Sequence, residues 1–140
     1  MRGDTWFLDT NILIYAYSTT EPEKREVARQ LIASGGAWIS VQVLNEYCNV
    51  TRKRYPELFV RVSRTLDALA SCLNIRDLSF ATTQQAARLA VQHGWSFYDS
   101  LIVAAAIECD CAILFTEDMQ HGQIVDSRLR IENPFRTLTP

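Results

Sequence analysis

The chain has 140 residues, of which 48% are hydrophobic and 21% charged, and its formal net charge is −2 at pH 7. This composition excludes a disordered or low-complexity chain and is typical of one globular domain, while the weakly acidic balance gives no general attraction for a polyanion. The longest uninterrupted apolar run, Leu101 to Ile107, is far shorter than the ~20 residues of a membrane span, and the N-terminus lacks a signal segment, so we expect a cytoplasmic protein.

The first half of the chain predicts two strands, each followed by a helical region. The elements are an apolar strand over residues 5–8 that stops at Asp9, a short helix, a helix from the Thr20 N-cap to about Ala33, a strand over residues 37–40, and a helix from the Ser40 N-cap to Arg54. Thr20 with Glu23 three residues later has the spacing of a helix start.

The second half continues the alternation after a break at Tyr55-Pro56, because a residue before proline is forced out of the helical region. The predicted elements are a helix over about 57–72, a strand over 73–78, a helix capped at Thr82-Thr83 that ends at His93-Gly94, a helix from Ser96 to Glu108, a buried strand over 111–116, and short edge strands at 124–125 and 129–131.

Strand and helix alternate nearly throughout, which predicts an α/β fold with a mainly parallel sheet and helices on both faces. There are no internal repeats and no linker rich in Gly, Ser or Pro. We therefore expect a single domain over residues 1–140, with the helical pair at about 41–72 as an insertion within it.

Acidic residues follow several of these strands or lie early in the next helix. They are Asp9, Asp99 and Asp118, joined by Glu46 on the helix that follows the second strand. Carboxylates that converge at ~4 Å repel by about 4 kcal/mol per pair at an effective dielectric of 20, so such a set requires either protonation or a cation. Mg²⁺ is commonly held by a few carboxylates together with water and substrate phosphate.

Each acid also has a structural interpretation. Ser96-x-x-Asp99 matches a helix capping box, Asp118 suits a turn, and Glu46 suits a solvated helix face. Asp9 is the hardest to explain in this way, because a lone ionised carboxylate at a buried strand end costs several kcal/mol or more. The functional interpretation therefore rests on the set.

Four segments in this order resemble the PIN-domain family, and within it the VapC-type toxin ribonucleases of toxin–antitoxin pairs. They are residues 7–13, Asn45-Glu46, residues 97–106 and residues 114–122. The resemblance implies a three-layer α/β/α sandwich whose acidic cluster binds one or two Mg²⁺ or Mn²⁺ ions and cuts RNA. It also implies a cognate antitoxin as partner and a homodimer as the basic unit.

Carried over by position, the resemblance assigns roles to individual residues. Asp9, Glu46, Asp99 and Asp118 match the acidic metal ligands, Asn11 and Thr116 match the polar residues that support them, and Asp118 is favoured over Glu117 by its offset from Thr116. Arg52, Lys53 and Arg54 are candidates for holding the RNA backbone. In the predicted reaction the ions activate water for attack on the phosphodiester.

Two alternatives stay open. A phosphatase of the haloacid-dehalogenase type also begins with an Asp at the end of strand one, but its motif has a second Asp two residues on, where this chain has Asn11, and the lysine it needs has no good candidate. A non-catalytic module that binds RNA or a protein, with the acids in a structural network, is the alternative from another class.

Overall fold

The computed structural model describes residues 5–138. Its strands are β1 (Trp6–Leu8), β2 (Ala37–Ser40), β3 (Asn74–Arg76), β4 (Ile113–Phe115), β5 (Ile124–Val125) and β6 (Leu129–Glu132). These strands form one sheet in the order β3-β2-β1-β4-β6-β5. All neighbouring pairs are parallel except β5 and β6, which are antiparallel.

The helices connect these strands. They are α1 (Thr10–Tyr17), α2 (Pro22–Ala33), α3 (Val41–Arg54), α4 (Pro56–Phe59), α5 (Val62–Cys72), α6 (Phe80–His93) and α7 (Phe97–Glu108). Among the described residues, no helix combines the length and the apolar character needed to cross a bilayer.

The direction of the chain reverses at the centre of the sheet. From β1 it moves to β2 and β3 on one side, and it then returns to place β4 on the other side of β1. Because parallel crossovers are right-handed, α1 to α5 lie on one face of the sheet and α6 and α7 lie on the other. The predicted α/β/α arrangement with a mainly parallel sheet is confirmed. A crevice forms at the carboxyl ends of β1 and β4, where the strand order reverses.

Helix α7 is the most deeply buried helix of the fold. Its residues 100–107 are all buried, and it contacts β2, β4 and α6. A helix that is apolar on all sides belongs in a core, and its consecutive alanines, Ala104 to Ala106, let α6 pack closely along it. The first turn of α7 reaches the surface at the crevice, and this fixes Asp99 there on a rigid element.

Two predicted helix starts were wrong because a nearby serine changes the local hydrogen bonding. Thr20 is not an N-cap: its hydroxyl pairs with that of Ser18 at 2.9 Å, and α2 begins at Pro22 after Glu21, which makes no side-chain cap bond. The N-cap of α6 is Ser79, three residues before the predicted cap at Thr82. Ser79 accepts from the Thr82 N–H, and the Thr82 hydroxyl accepts from the Ser79 N–H, which makes a capping box.

Other predicted bounds also change. The helix predicted over 57–72 is divided into α4 and α5, because Arg61 leaves the helical region with φ −105° and ψ 10°. The strands predicted over 73–78 and 111–116 shorten to β3 and β4. The segment predicted as an edge strand over 129–131 is internal, since β6 pairs with β4 on one side and β5 on the other.

The capping box at Ser79 gives a test of the fold. We expect Ser79→Ala to lower the free energy of unfolding by about 1 kcal/mol, because the first turn of α6 loses its side-chain acceptor. Urea denaturation followed by circular dichroism measures this change.

The matched control is Ser71→Ala, whose exposed hydroxyl donates to the Ala68 carbonyl within α5. We expect its effect to stay within roughly 0.5 kcal/mol. An equal loss of stability in both variants would contradict the capping role of Ser79.

Candidate active site

The four predicted acids line one cleft at the carboxyl ends of β1 and β4. The cleft has a volume of about 330 Å³, and its lining includes Asp9, Glu46, Asp99 and Asp118. Each comes from a different part of the chain: the residue after β1, the second turn of α3, the first turn of α7, and the loop after β4. The fold therefore brings together residues separated by up to 109 positions, as the numbering from Asp9 to Asp118 shows.

Asp9 is the most deeply buried of the four acids, with only 4% of its surface exposed. Its Oδ1 accepts from the backbone N–H of Thr10 at 2.6 Å, and its Oδ2 accepts from the hydroxyl of Thr116 at 2.7 Å. Burial raises the pKa of Asp9 to about 7; the two hydrogen bonds oppose this shift, and the charges of Asp99 and Asp118 add to it. Close to neutral pH, a cation in the cleft would favour the ionised form of this carboxyl.

Asp99 serves both the helix and the cleft. Its backbone N–H donates to the hydroxyl of Ser96 at 3.1 Å, so the predicted cap of α7 is present, while its side chain lines the cleft. Burial raises the pKa of Asp99; the hydrogen bond with Ser96 opposes the shift and the charge of Asp118 adds to it. The structural and the functional interpretation of this residue are therefore compatible.

Asn11 and Thr116 connect the acids of the cleft. The Asn11 side-chain amide donates to Oδ2 of Asp118 at 2.9 Å. The backbone N–H of Asp118 donates to the Thr116 hydroxyl at 3.1 Å, and that same hydroxyl donates to Asp9. Thr116 thus links two carboxyl-bearing segments, and Asn11 leaves its own carbonyl oxygen, Oδ1, buried without a hydrogen-bond partner.

Glu46 is held by two uncharged donors. The hydroxyl of Thr10 donates to its Oε2 at 2.7 Å, and the side-chain amide of Gln42 donates to its Oε1 at 2.9 Å. Sequence reasoning missed both donors. The i, i+4 spacing of Gln42 and Glu46 was the available signal for one of them, whereas the contact of Thr10 spans 36 positions and has no local signature.

Glu117 points away from the acids, although it precedes Asp118. Its Oε1 accepts from the hydroxyl of Tyr15 at 2.6 Å, and its Oε2 forms a salt bridge with Lys24. It lines a separate cavity, while Asp118 lines the acidic cleft. The two neighbouring acids therefore have different environments, one neutralised by a lysine and one not.

The basic residues at the end of α3 are divided between the cleft and the surface. Arg54 lines the cleft next to Tyr55. Arg52 and Lys53 are exposed on the same last turn and are not part of the lining. Of the three predicted contacts to the RNA backbone, Arg54 is the one that the structure places beside the acids.

The donor atoms of the cleft suit a hard divalent cation. The carboxylates and the unpartnered Asn11 carbonyl supply oxygen ligands, which Mg²⁺ and Mn²⁺ prefer. Within residues 5–138 no three Asp, Glu, His or Cys side chains form a ready-made metal cage. Mg²⁺ keeps several waters and takes few protein ligands, so the set fits an ion whose coordination is completed by water and phosphate.

None of the four cleft acids makes a salt bridge within the described part of the chain. Their hydrogen-bond donors are hydroxyls, amides and backbone N–H groups, which orient a carboxylate and leave its charge in place. The cleft therefore concentrates acidic groups whose charge a bound cation would neutralise.

Several solved structures of toxin–antitoxin proteins are similar to this chain in fold. A toxin–antitoxin complex from Klebsiella pneumoniae matches with a TM-score of 0.71 and 23% identity, over 93% of this chain and 98% of that one. VapBC2 from Rickettsia felis, bound to a DNA fragment from its promoter, matches with a TM-score of 0.66 and 25% identity, over 92% of this chain and 99% of that one. VapC20 from Mycobacterium tuberculosis, a toxin that cleaves the sarcin–ricin loop, matches with a TM-score of 0.65 and 19% identity, over 79% of this chain and 87% of that one.

Comparison of sequences gives the family. No curated protein matches the chain. The model of the PIN domain matches residues 6–125, which include all four acids of the cleft together with Asn11 and Thr116. The chain therefore belongs to the PIN domain family.

Proposed function

We propose that this protein is a metal-dependent endoribonuclease, and that it is the toxin of a toxin–antitoxin pair. The observation that carries the proposal is the set of four carboxylates that line one cleft without a salt bridge to any described residue. Hydrolysis of a phosphodiester by such a site requires no nucleophilic side chain.

The relatives support the choice of RNA and of an antitoxin partner. One similar structure is named as a toxin that cleaves the sarcin–ricin loop, and others are named as toxin–antitoxin complexes. On this basis we propose an RNA substrate and a cognate antitoxin for this chain. The homodimer is proposed from the family resemblance alone.

Asp9, Asp99, Asp118 and Glu46 would hold one or two Mg²⁺ or Mn²⁺ ions. When bound, the cation supplies Lewis acidity and offsets the charge that develops on the phosphate. Thr116 and the Thr10 N–H orient Asp9, since they donate to its two oxygens.

The remaining polar residues of the cleft have supporting roles. Asn11 fixes Asp118 through its amide, and Thr10 and Gln42 fix Glu46. Arg54 lies where it can bind the phosphate backbone, and the exposed Arg52 and Lys53 extend the positive charge beyond the cleft.

The phosphatase alternative has little support from the cleft. The position of its second acid holds Asn11, whose amide donates to Asp118 and cannot act as a general acid or base near neutral pH. The non-catalytic alternative is decided by the experiments that follow.

The first prediction concerns the acids themselves. We expect Asp9→Asn and Asp99→Asn each to reduce RNA cleavage by roughly 100-fold or more, because each removes a charged oxygen ligand from the cleft. Cleavage is measured by sequencing RNA 5′-phosphate ends after brief expression and by gel assay of the purified protein, and circular dichroism verifies the fold. Full activity of both variants in EDTA would overturn the nuclease proposal.

The neighbouring acids Asp118 and Glu117 give a matched comparison. We expect Asp118→Asn to lose activity by roughly 100-fold or more. Glu117→Gln keeps an acceptor for Tyr15 and removes only a partly exposed salt bridge, so its activity should stay within about threefold of the wild type. Equal losses in the same cleavage assay would contradict the assignment of Asp118.

The third prediction concerns metal and pH. Because the pKa of Asp9 is raised in the folded state, the metal-free fold binds a proton that the unfolded chain releases. Its stability therefore falls as pH rises from about 4 to 7, by an amount on the order of 4 kcal/mol from this group. Mn²⁺ should raise the melting temperature more at pH 8 than at pH 5.5, where it competes with the proton.

The control for this experiment is Asp9→Asn, measured by differential scanning fluorimetry with EDTA or Mn²⁺. Its metal-free melting temperature should exceed that of the wild type at pH 8, and Mn²⁺ should shift it much less. An equal Mn²⁺ shift at both pH values in the wild type would contradict the role of Asp9.

A further inference from the structure

The acidic cleft continues into a second groove between α3 and the start of α7. This groove has a volume of about 510 Å³, and it shares Glu46, Val50 and Asp99 with the cleft. Its other lining residues are Gln42, Asn45, Asn49 and Tyr98. We call it the amide groove, after the three side-chain amides that it contains.

The amides lie on one face of α3. Gln42, Asn45, Glu46 and Asn49 are spaced i, i+3, i+4 and i+7, which is the spacing of a single helical stripe, and the opposite side of the helix buries Val43, Tyr47 and Thr51. Gln42 donates to Glu46. The exposed amides of Asn45 and Asn49 make no side-chain hydrogen bond to the described chain, so their donors and acceptors are available to a ligand.

Tyr98 forms the opposite wall of the groove. It is 61% exposed and directly precedes Asp99 in the first turn of α7. Its ring makes an edge contact with Phe97 at a centroid distance of 6.2 Å, which leaves a face for a further ring to stack on. A rigid, buried helix holds this aromatic side chain one residue from a proposed metal ligand.

The charges of the groove determine what it can bind. Its lining has two carboxylates, Glu46 and Asp99, and no lysine or arginine, so a phosphate is disfavoured there. Arg54, by contrast, lies in the cleft. An uncharged planar group with hydrogen-bonding edges is complementary to an aromatic ring and amides, and a nucleobase has these properties.

A second copy of this chain is a poorer fit to the same surface. The core of a homodimer interface is apolar and poor in charged residues. The amide groove instead contains three amides and two carboxylates, and Val50 is its only aliphatic lining residue.

We infer that the amide groove binds the base of an unpaired nucleotide next to the cleaved phosphate, with Tyr98 stacking on the base and Asn45 and Asn49 reading its edge. This inference rests on the proposed nuclease function and identifies part of its specificity. The substrate is then single-stranded at the cut, because a paired base cannot enter a groove lined by an aromatic side chain and amides.

The test uses a randomised library of single-stranded RNA as the probe, with the cut sites sequenced. Tyr98→Ala should reduce kcat/KM by roughly 5- to 100-fold for all sequences, whereas Tyr98→Phe, which keeps the ring, should stay close to the wild type. Asn45→Ala and Asn49→Ala should together reduce the base preference at one position beside the cut by roughly fivefold or more. Phe80→Ala is the matched control, since Phe80 is 76% exposed and lies outside the groove.

A binding measurement separates this inference from the nuclease proposal. The fluorescence anisotropy of labelled hexaribonucleotides is measured with the Asp118→Asn variant and with the same variant that also carries Tyr98→Ala. Weaker binding by the variant with Tyr98→Ala supports the base site even if the wild type cuts no RNA. If the wild type does cut RNA, an unchanged base preference in the Asn45→Ala and Asn49→Ala variants together with an unchanged kcat/KM in Tyr98→Ala would overturn it. A change of oligomeric state in Tyr98→Ala with unchanged RNA binding would assign the groove to a second copy and overturn it equally.

Discussion

The buried carboxyl of Asp9 is the constraint around which the site is built. It lies at the end of the central strand β1, where the strand order reverses and where α1 begins. Burial there disfavours the charged form, and two hydrogen bonds, from Thr10 and Thr116, offset only part of that cost. The fold maintains at its centre a carboxyl group that makes no salt bridge with any residue in 5–138.

The neighbouring contacts preserve this condition. Thr116 bonds both to Asp9 and to the backbone of Asp118, Asn11 bonds to Asp118, and Thr10 bonds to Glu46. All of these donors are uncharged, so they fix the positions of the carboxylates and leave the net charge of the cleft unchanged. Glu117 shows the contrast: it pairs with Lys24, and it is not part of the lining of the cleft.

The sequence predicts the parts of this arrangement that local patterns determine. An apolar run that stops at Asp9, and a capping serine three residues before Asp99, indicated where each acid stands on its element. The contacts between elements could not be predicted in this way, because they join residues 36 or 107 positions apart and depend on crossover geometry. Local patterns also failed at two helix starts: the Thr20 hydroxyl pairs with Ser18 and does not cap α2, and Ser79 caps α6 in place of Thr82. The position of β6 inside the sheet depends on its pairing with β4. The hydrophobic periodicity of a segment does not indicate which strand it pairs with.

If the proposed function holds, an acidic chain with an acidic cleft binds RNA without a general electrostatic attraction. The formal charge of −2 supplies none, and Arg54 is the one basic residue in the lining of the cleft. On the proposed function, the remaining affinity comes from the cation, which the carboxylates hold in their ionised form, from Arg52 and Lys53 beyond the cleft, and from uncharged contacts of the kind that Tyr98 and the asparagine amides offer. Cation and base then act at adjoining positions, since Glu46 and Asp99 line both the cleft and the amide groove. Specificity in such a site comes from the groove, because the cleft contacts only the phosphate that every RNA shares.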